Sequence, residues 1–554
     1  MSFLGVETSL TGRRWIGPDV ELTRAAELLV QRAGLPDPVC QVLARRGVLD
    51  TEAAGFLAPA LRDLLPDPRS LRDMEAAATR FLSALQKRER IAIFADYDVD
   101  GGSSAALLLV WLRDMGHRAT LYIPDRIDEG YGPNDEAMSA LAAEHDLIVC
   151  VDCGTLSHGP IAAAKGADVI VLDHHLGGET LPDALAVVNP NRQDEDGTLA
   201  HLCAAAVVFL MLVEAGRQLR EAGLKGPDLM GMLDLVGLAT VADVAPLIGV
   251  NRAFVRQGLK VMARRARPGL AALADVARMD TAPTAYHLGF LLGPRINAGG
   301  RIGQADLGAR LLATADPHEA AALAERLDQL NTDRREVEAA VRASAMAQAE
   351  ERGFDGPLAW AAGPGWHPGV VGIVASRLKE AANRPSIVIG VEEGLLIKGG
   401  GHKMAAGLTV AEDKIDAAME RLGELLTKQG AHLAGPADLK LCGMMMPGAA
   451  TVELAEMVNQ AGPFGAGAPA PRYAFADMQI RFAKRVGENH LKVSFGDGLG
   501  ANLEAIAFGA YDGPLGPALE NHGGARFHLA GRLDINNFRG RRTVQLRLED
   551  AARA

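Results

Sequence analysis

Between residues 91 and 109 the chain reads IAIFADYDVDGGSSAALLL, which places Asp96, Asp98 and Asp100 two residues apart, directly after an apolar run and directly before Gly101 and Gly102. Carboxylates crowded at the end of a buried strand repel one another and lose hydration, so the arrangement calls for a cation. VDCGT places Asp152 at the end of another apolar run, VLDHH places Asp173, His174 and His175 at the end of a third, and LATVADVAPL places Asp243 in a turn after a helix. Oxygen and imidazole donors suit Mn2+ or Mg2+ better than zinc. Two such cations would neutralise the acids and clamp an in-line displacement at phosphorus. Any one of these acids alone is more simply a helix cap, Asp96 or Asp100 for a helix expected to begin near Ser103; the four clusters together carry the metal reading.

These side chains need elements to hold them. From residue 76 to about 250, short apolar runs (IAIFADY, RATLYIP, DLIVCVDCG, ADVIVLDHH, LAVVNPN) alternate with helical stretches, the pattern of a parallel α/β sheet covered on both faces. Ligands of such sheets bind at the carboxyl ends of the strands, where the acids and histidines fall. Helical periodicity broken by GLPDP and LLPDP marks residues 1–75 as a helical cap, and 76–315 form the catalytic α/β domain. Within 316–355, about 33 residues without Gly or Pro predict a helix of roughly 50 Å that bridges two lobes. A second α/β domain spans 356–434. Residues 435–554 hold a Gly/Pro-rich connection, GPFGAGAPAPRYAF, and five or so strands that fit a barrel of the OB type.

Composition narrows the partners. No run of about 18 apolar residues and no basic-then-apolar leader appears, so a cytoplasmic protein away from membranes is expected. The five cysteines are odd in number and scattered, and Cys150 and Cys153 fall on a buried strand and its turn, which argues against a disulfide or redox role. A net charge of −12 points away from nucleic acid when taken alone. The segment from Arg526 to Arg547, however, carries Arg526, Arg532, Arg539, Arg541, Arg542 and Arg547 against Asp534, a local basic face.

DYDVDG, VDCGT, VLDHH and TVADV, in this order and spacing, resemble the motifs of the DHH phosphoesterase superfamily, whose members hydrolyse phosphodiester or phosphoanhydride bonds with two Mn2+ or Mg2+ ions. GWHPGVVGIVASRL and GGGHKMAAG resemble the DHH-associated domain, and PRINAGGRIG with the closing β-module narrows the resemblance to the bacterial single-strand-specific DNA exonucleases. The resemblance implies Asp98 and Asp100 as metal ligands with Asp96 beside them, Asp152 bridging two ions, His174 on one ion and Asp243 completing the site. It implies His175 near the scissile phosphate and Asp173 orienting a histidine. Some relatives carry a His at the position of Phe94, so the first ion would have one protein ligand fewer here.

In the second lobe, the backbone at Gly399, Gly400 and Gly401 can approach a phosphate closely, with His402 and Lys403 adding donors and charge. A Gly triplet alone is usually a turn. His367 alone is equally well a structural histidine, and the resemblance makes it a substrate contact. Arg295, Asn297 and Arg301 would line the path between lobes, with local backbone bonding as the plainer role. Such sequences usually carry a Gly-Ser-x-Arg-Ser segment before the Gly-His motif, whereas SIVIGVEEGLLIKGGGH passes straight through.

The expected function is a 5′-to-3′ exonuclease that threads single-stranded DNA between its lobes and releases 5′-mononucleotides, in recombination and repair. Arg539, Arg541 and Arg542 would grip the strand, with Phe538 stacking on a base. The implied partners are a single-strand-binding protein and a RecQ-type helicase, and the chain is expected to act as a monomer. Two other readings compete: a phosphodiesterase for cyclic dinucleotides or short oligonucleotides, and a catalytically inactive replication scaffold.

Overall fold

Ile91–Ala95 and Leu147–Val151 are buried along their whole length, as strands covered on both faces must be. In the computed structural model they lie within a five-stranded, all-parallel sheet in the order Ala119–Tyr122, Ile91–Ala95, Leu147–Val151, Asp168–Leu172, Ala186–Val188. The structure describes residues 2–126, 129–354, 356–391, 399–402, 405–408, 414–428, 438–538 and 540–554. The chain divides into two compact units, one of Leu64–Leu433 and the other of Met1–Asp63 with Ala434–Ala554. The boundary between the two units thus lies within the N-terminal segment 1–75. Met74–Lys87 belongs to the larger unit: its apolar stripe Met74, Ala77, Ala78 and Phe81 is buried, with Phe81 packed at 5.4 Å on Trp111 of helix Val99–Asp114.

In the larger unit, helices Ala204–Glu221 and Leu233–Ala242 pack on Val99–Asp114. A six-residue π-helix, His287–Leu292, runs directly into helix Gly293–Ile302. The long helix Pro317–Arg352 has 36 residues, about 54 Å at the usual rise, and packs against Gly293–Ile302 at one end and against Pro368–Ala382 at the other. It thus joins the sheet to a second lobe. There the parallel pair Ala359–Pro364 and Ser386–Val391 is crossed by Pro368–Ala382, and Gly399–His402 pairs antiparallel with Ala405–Leu408.

The smaller unit holds the β-module. Tyr473–Val486 pairs with His490–Gly496 on one side and with Arg526–Phe538 on the other. Asn502–Ala507 and Arg541–Arg553 complete the circuit, so the sheet closes into the expected barrel. The N-terminal helices share its core: Val39 and Leu43 are in one apolar cluster with Tyr473 and Phe475, and the Tyr473 hydroxyl donates to the Pro38 carbonyl at 2.9 Å. No described helix is long and apolar enough to cross a membrane.

Helix Leu233–Ala242, which carries Asp243 at its end, crosses helix Gly249–Met262 at paired glycines. A Cβ on Gly258 would collide with the Leu233 carbonyl oxygen and come within 3.1 Å of Gly237 Cα. Gly258→Ala should therefore cost about 1–3 kcal/mol through overpacking, measured as a lower unfolding midpoint in denaturant.

Candidate metal centre

Asp96 directly follows its strand and is 4% exposed. Two residues on, Asp98 caps helix Val99–Asp114, its Oδ1 accepting the N–H groups of Asp100 at 2.8 Å and Gly101 at 3.1 Å. The helix starts at Val99, ahead of the expected start near Ser103. Gly101 is obligatory because any Cβ there would strike the Asp96 carbonyl oxygen. Asp100 caps a different helix: its carboxylate accepts the N–H groups of Ala204 and Ala205 at 2.7 and 2.8 Å, at the positive end of Ala204–Glu221. Capping and facing the centre are thus compatible, and one carboxylate does both.

Asp152 follows Leu147–Val151 with φ +59°, and Asp243 ends Leu233–Ala242 with Val244 next at φ +59°. For an Asp and a β-branched Val these left-handed conformations each store about 1–3 kcal/mol of strain, and both bracket the acid cluster.

The four strand and helix ends converge. His174 Nε2 lies 3.2 Å from Asp152 Oδ1, 3.7 Å from Asp100 Oδ2 and 3.8 Å from Asp243 Oδ2. Three donor sets have ligand atoms within 4.8 Å of one another: Asp96, Asp98 and Asp152; Asp100, His174 and Asp243; and Asp152, His174 and His175. Burial and mutual repulsion push Asp96, Asp100 and Asp152 above the usual carboxylate range, and Asp243 up to about 9 through burial and Asp100. Asp96 Oδ1 and Asp152 Oδ1 are buried with no hydrogen-bond partner among the described residues. Orphaned buried anions with hard oxygen donors fit a pair of divalent cations, which would satisfy both oxygens at once.

His175 is held differently. Its Nδ1 donates to Asp173 Oδ1 at 2.8 Å, and Asp173, 1% exposed, also accepts from the Thr155 hydroxyl at 2.7 Å and from the backbone N–H groups of Thr155 and His174. Both Asp173 oxygens are thus occupied by donors from the protein itself. Burial opposes the charged imidazole, yet the bond to Asp173 and the nearby Asp96 and Asp243 hold His175 up to about 9. Asp173 correspondingly stays below the usual carboxylate range despite its burial.

The remaining expected residues scatter. Phe94 is buried and stacks on Tyr122 at 5.4 Å, packing the sheet. Asn297 reaches the metal loop, its Oδ1 accepting the Val99 N–H at 2.9 Å. Arg295 is paired with the distant Asp328 at 2.8 Å and donates to the local Leu291 carbonyl at 2.8 Å. Arg301 donates to the Gly369 carbonyl at 2.9 Å, and His367 accepts the Gly369 N–H as the cap of Pro368–Ala382. Gly400 and Gly401 lie on the strand paired with Ala405–Leu408, while the His402 side chain, Lys403, the Phe538 side chain and Arg539 lie outside the described residues. So does 392–398, where the Gly-Ser-x-Arg-Ser segment would stand.

Three of the six arginines of the barrel's basic face are paired with acids distant in sequence. Arg526 pairs with Asp477, Arg532 with Glu549 and Arg542 with Glu456, whereas Arg541 stands exposed beside them. Cys150 and Cys153 are buried free thiols, and burial pushes Cys150 up to about 12, so neither is a redox thiolate.

Several residues escaped the sequence reading. The Tyr131 hydroxyl lies 3.1 Å from His175 Nε2 and 3.3 Å from the Asp152 carbonyl oxygen. Asn189 and Asn191 hold the carbonyls of His175 and His174 at 2.8 and 2.6 Å. Arg126 lies over the Tyr97 ring at 5.2 Å, and burial with the charges of Arg126 and Arg334 lowers the pKa of Arg301, which Tyr97 and Asp98 oppose. Arg334 Nε is buried without a hydrogen-bond partner among the described residues. The glycines flanking Tyr131 and the NPN after the Ala186–Val188 strand were the signals available.

Comparison with known proteins adds to this geometry. Residues 90–240 match the DHH family N-terminal domain, and residues 443–550 match the RecJ OB domain. The chain is 38% identical over 566 residues to the single-stranded-DNA-specific exonuclease RecJ of Dickeya dadantii, covering 93% of this chain and 96% of that one. Against the protein of the same name from Escherichia coli the identity is 36%, with 94% and 96% covered. The crystal structure of RecJ in complex with Mn2+ from Thermus thermophilus superposes with a TM-score of 0.80 at 28% identity, covering 97% of this chain and 79% of that one.

Because the folded pKa values of Asp96, Asp100, Asp152 and Asp243 are raised, their contribution to the stability of the cation-free protein is full below about pH 4 and lost as pH rises, for Asp243 through about 9. Cations bind the deprotonated form. Thermal denaturation with Mn2+ against chelator should therefore show a larger cation-dependent rise in Tm at pH 8 than at pH 6. Asp152→Asn should raise the cation-free Tm at pH 8 and shrink the cation-dependent gain.

Proposed function

The chain belongs to the RecJ family of single-stranded-DNA-specific exonucleases, and from that membership together with the acid-imidazole cluster we infer that it is a metal-dependent hydrolase of single-stranded DNA. The observation that carries this reading is the convergence of Asp96, Asp98, Asp100, Asp152, His174 and Asp243 from separate segments, with Asp96 Oδ1 and Asp152 Oδ1 buried and unbonded. Asp96, Asp98 and Asp152 form one cation site, and Asp100, His174 and Asp243 the other, with Asp152 beside both. When bound, two Mn2+ or Mg2+ ions supply the countercharge, lower the pKa of water and steady the attacking and leaving oxygens of an in-line displacement.

The chain's own residues do the rest. Asp173 fixes the tautomer of His175 by accepting its Nδ1–H, which leaves Nε2 to face a phosphate oxygen or the departing oxygen. Arg301 places positive charge near Asp98 and Arg126 near Asp96 for the phosphates of the strand, while Arg334 beside them is paired with Glu338. Asn297 pins the loop between Asp98 and Asp100 through the Val99 N–H, holding the acids in register. The 5′-to-3′ direction, the 5′-mononucleotide products, the cytoplasmic location and the action with a single-strand-binding protein and a RecQ-type helicase rest on the resemblance of the motifs. A terminal barrel and a bridging helix of 36 residues favour a long strand over a cyclic dinucleotide, and a complete set of acids favours an enzyme over a scaffold.

Labelled single strands incubated with Mn2+ should be degraded by the wild-type protein. Asp152→Ala should lose activity by about three orders of magnitude or more while keeping its far-ultraviolet circular dichroism. Asp173→Asn should lose about 10–100-fold, chiefly in kcat. Retention of full activity by Asp152→Ala would remove the cluster from the chemistry.

A further inference from the structure

Tyr286 and Phe290 are exposed by 55% and 69%, and their rings stack with centroids 5.1 Å apart and planes 24° from parallel. Only 5% of this chain is aromatic, and exposing two stacked rings to water is costly unless something covers them. Phe290 lies within the π-helix His287–Leu292, with Tyr286 capping its start, and such distortions of helices concentrate at functional sites. The element leads to the reaction centre. Gly289 lies against Val241, with a Cβ there 3.4 Å from Val241 Cγ1, and Gly293 against Ala242 and Val99, so the same ridge touches the two residues before Asp243 and the one between Asp98 and Asp100. Along the helix, Phe290 and Tyr286 lie about 10 and 16 Å from Asn297, which binds the metal loop, a span of roughly three to five steps of stacked DNA.

We propose that Tyr286 and Phe290 form a stacking platform for unpaired nucleobases of the strand that feeds the metal centre, an inference that rests on the exonuclease reading above. Two flat, nearly parallel rings present π-faces, which suit planar bases rather than an aliphatic peptide side chain. Charge argues the same way. The net charge is −12, and Arg526, Arg532 and Arg542 of the barrel already have acidic partners, so attraction to phosphate is weaker than in a basic nucleic-acid-binding protein. Stacking supplies affinity without depending on that charge. It also requires no particular base, because every base has a face, and it rejects paired strands, whose faces are buried in the duplex.

The test measures strand affinity by fluorescence anisotropy in an Asp152→Ala background, with a single strand of about 20 nucleotides and with the same strand carrying abasic residues roughly three to five nucleotides from its 5′ end. Tyr286→Leu/Phe290→Leu keeps apolar surface and removes the rings. It should weaken binding of the base-bearing strand about five- to a hundredfold and leave binding of the abasic strand unchanged. Tyr286→Trp/Phe290→Trp should restore or exceed the wild-type affinity. Unchanged affinity of the leucine variant for the base-bearing strand, with its Tm intact, overturns the platform. An equal loss on both strands overturns it too, since the rings would then serve the fold or the backbone. If the wild-type protein leaves single strands uncut in Mn2+, the exonuclease reading fails instead.

Discussion

The structure is organised around a repulsion. Asp96, Asp100 and Asp152 are almost wholly buried within a few ångströms of Asp98 and Asp243, and the fold neutralises only part of the charge it gathers. The Asp100 carboxylate is relieved by two backbone N–H groups of Ala204–Glu221, and the Asp98 carboxylate by its own helix. Asp96 Oδ1 has no hydrogen-bond partner among the described residues, and Asp152 Oδ1 makes no hydrogen bond there although His174 Nε2 lies 3.2 Å away. A scaffold that leaves buried anions half satisfied must hold them rigidly, because a mobile loop would let them escape to water.

That rigidity comes from parallel strands that end on one edge. Ile91–Ala95, Leu147–Val151 and Asp168–Leu172 are adjacent in the sheet, so the residues following them are neighbours although they are distant in sequence. Asp152 and Val244 occupy left-handed backbone at the points where an acid must turn inward. Glycines close the remaining gaps: Gly101 lets the metal loop fold back on Asp96, and Gly258 lets the helix bearing Asp243 settle against its neighbour. Asp173, bonded by Thr155 and by the backbone of its own turn, holds His175 by its Nδ1 at the edge of the cluster, while the next-door His174 points into the acids.

Much of this was legible in the sequence because it is local. Apolar runs followed by acids announce strand ends, and an uninterrupted helical stretch announced Pro317–Arg352. Alternating strands with turn signals announced the closed barrel. What escaped depends on partners far along the chain. Nothing near Arg532 reveals that Glu549 neutralises it, nothing near Arg295 reveals Asp328, and Tyr131 sits in a glycine turn whose proximity to His175 exists only once the sheet is assembled. Helical periodicity in Met74–Lys87 was visible, but not which of two cores it joins; burial of Phe81 on Trp111 decides that.

The paired arginines of the barrel carry one more implication. A phosphate arriving at Arg526, Arg532 or Arg542 meets a guanidinium that is already engaged, so it trades places with Asp477, Glu549 or Glu456 instead of occupying an unmet cation. What such an anion gains is only the difference between two partly exposed ion pairs, so these three side chains offer it a shallow foothold rather than a deep one.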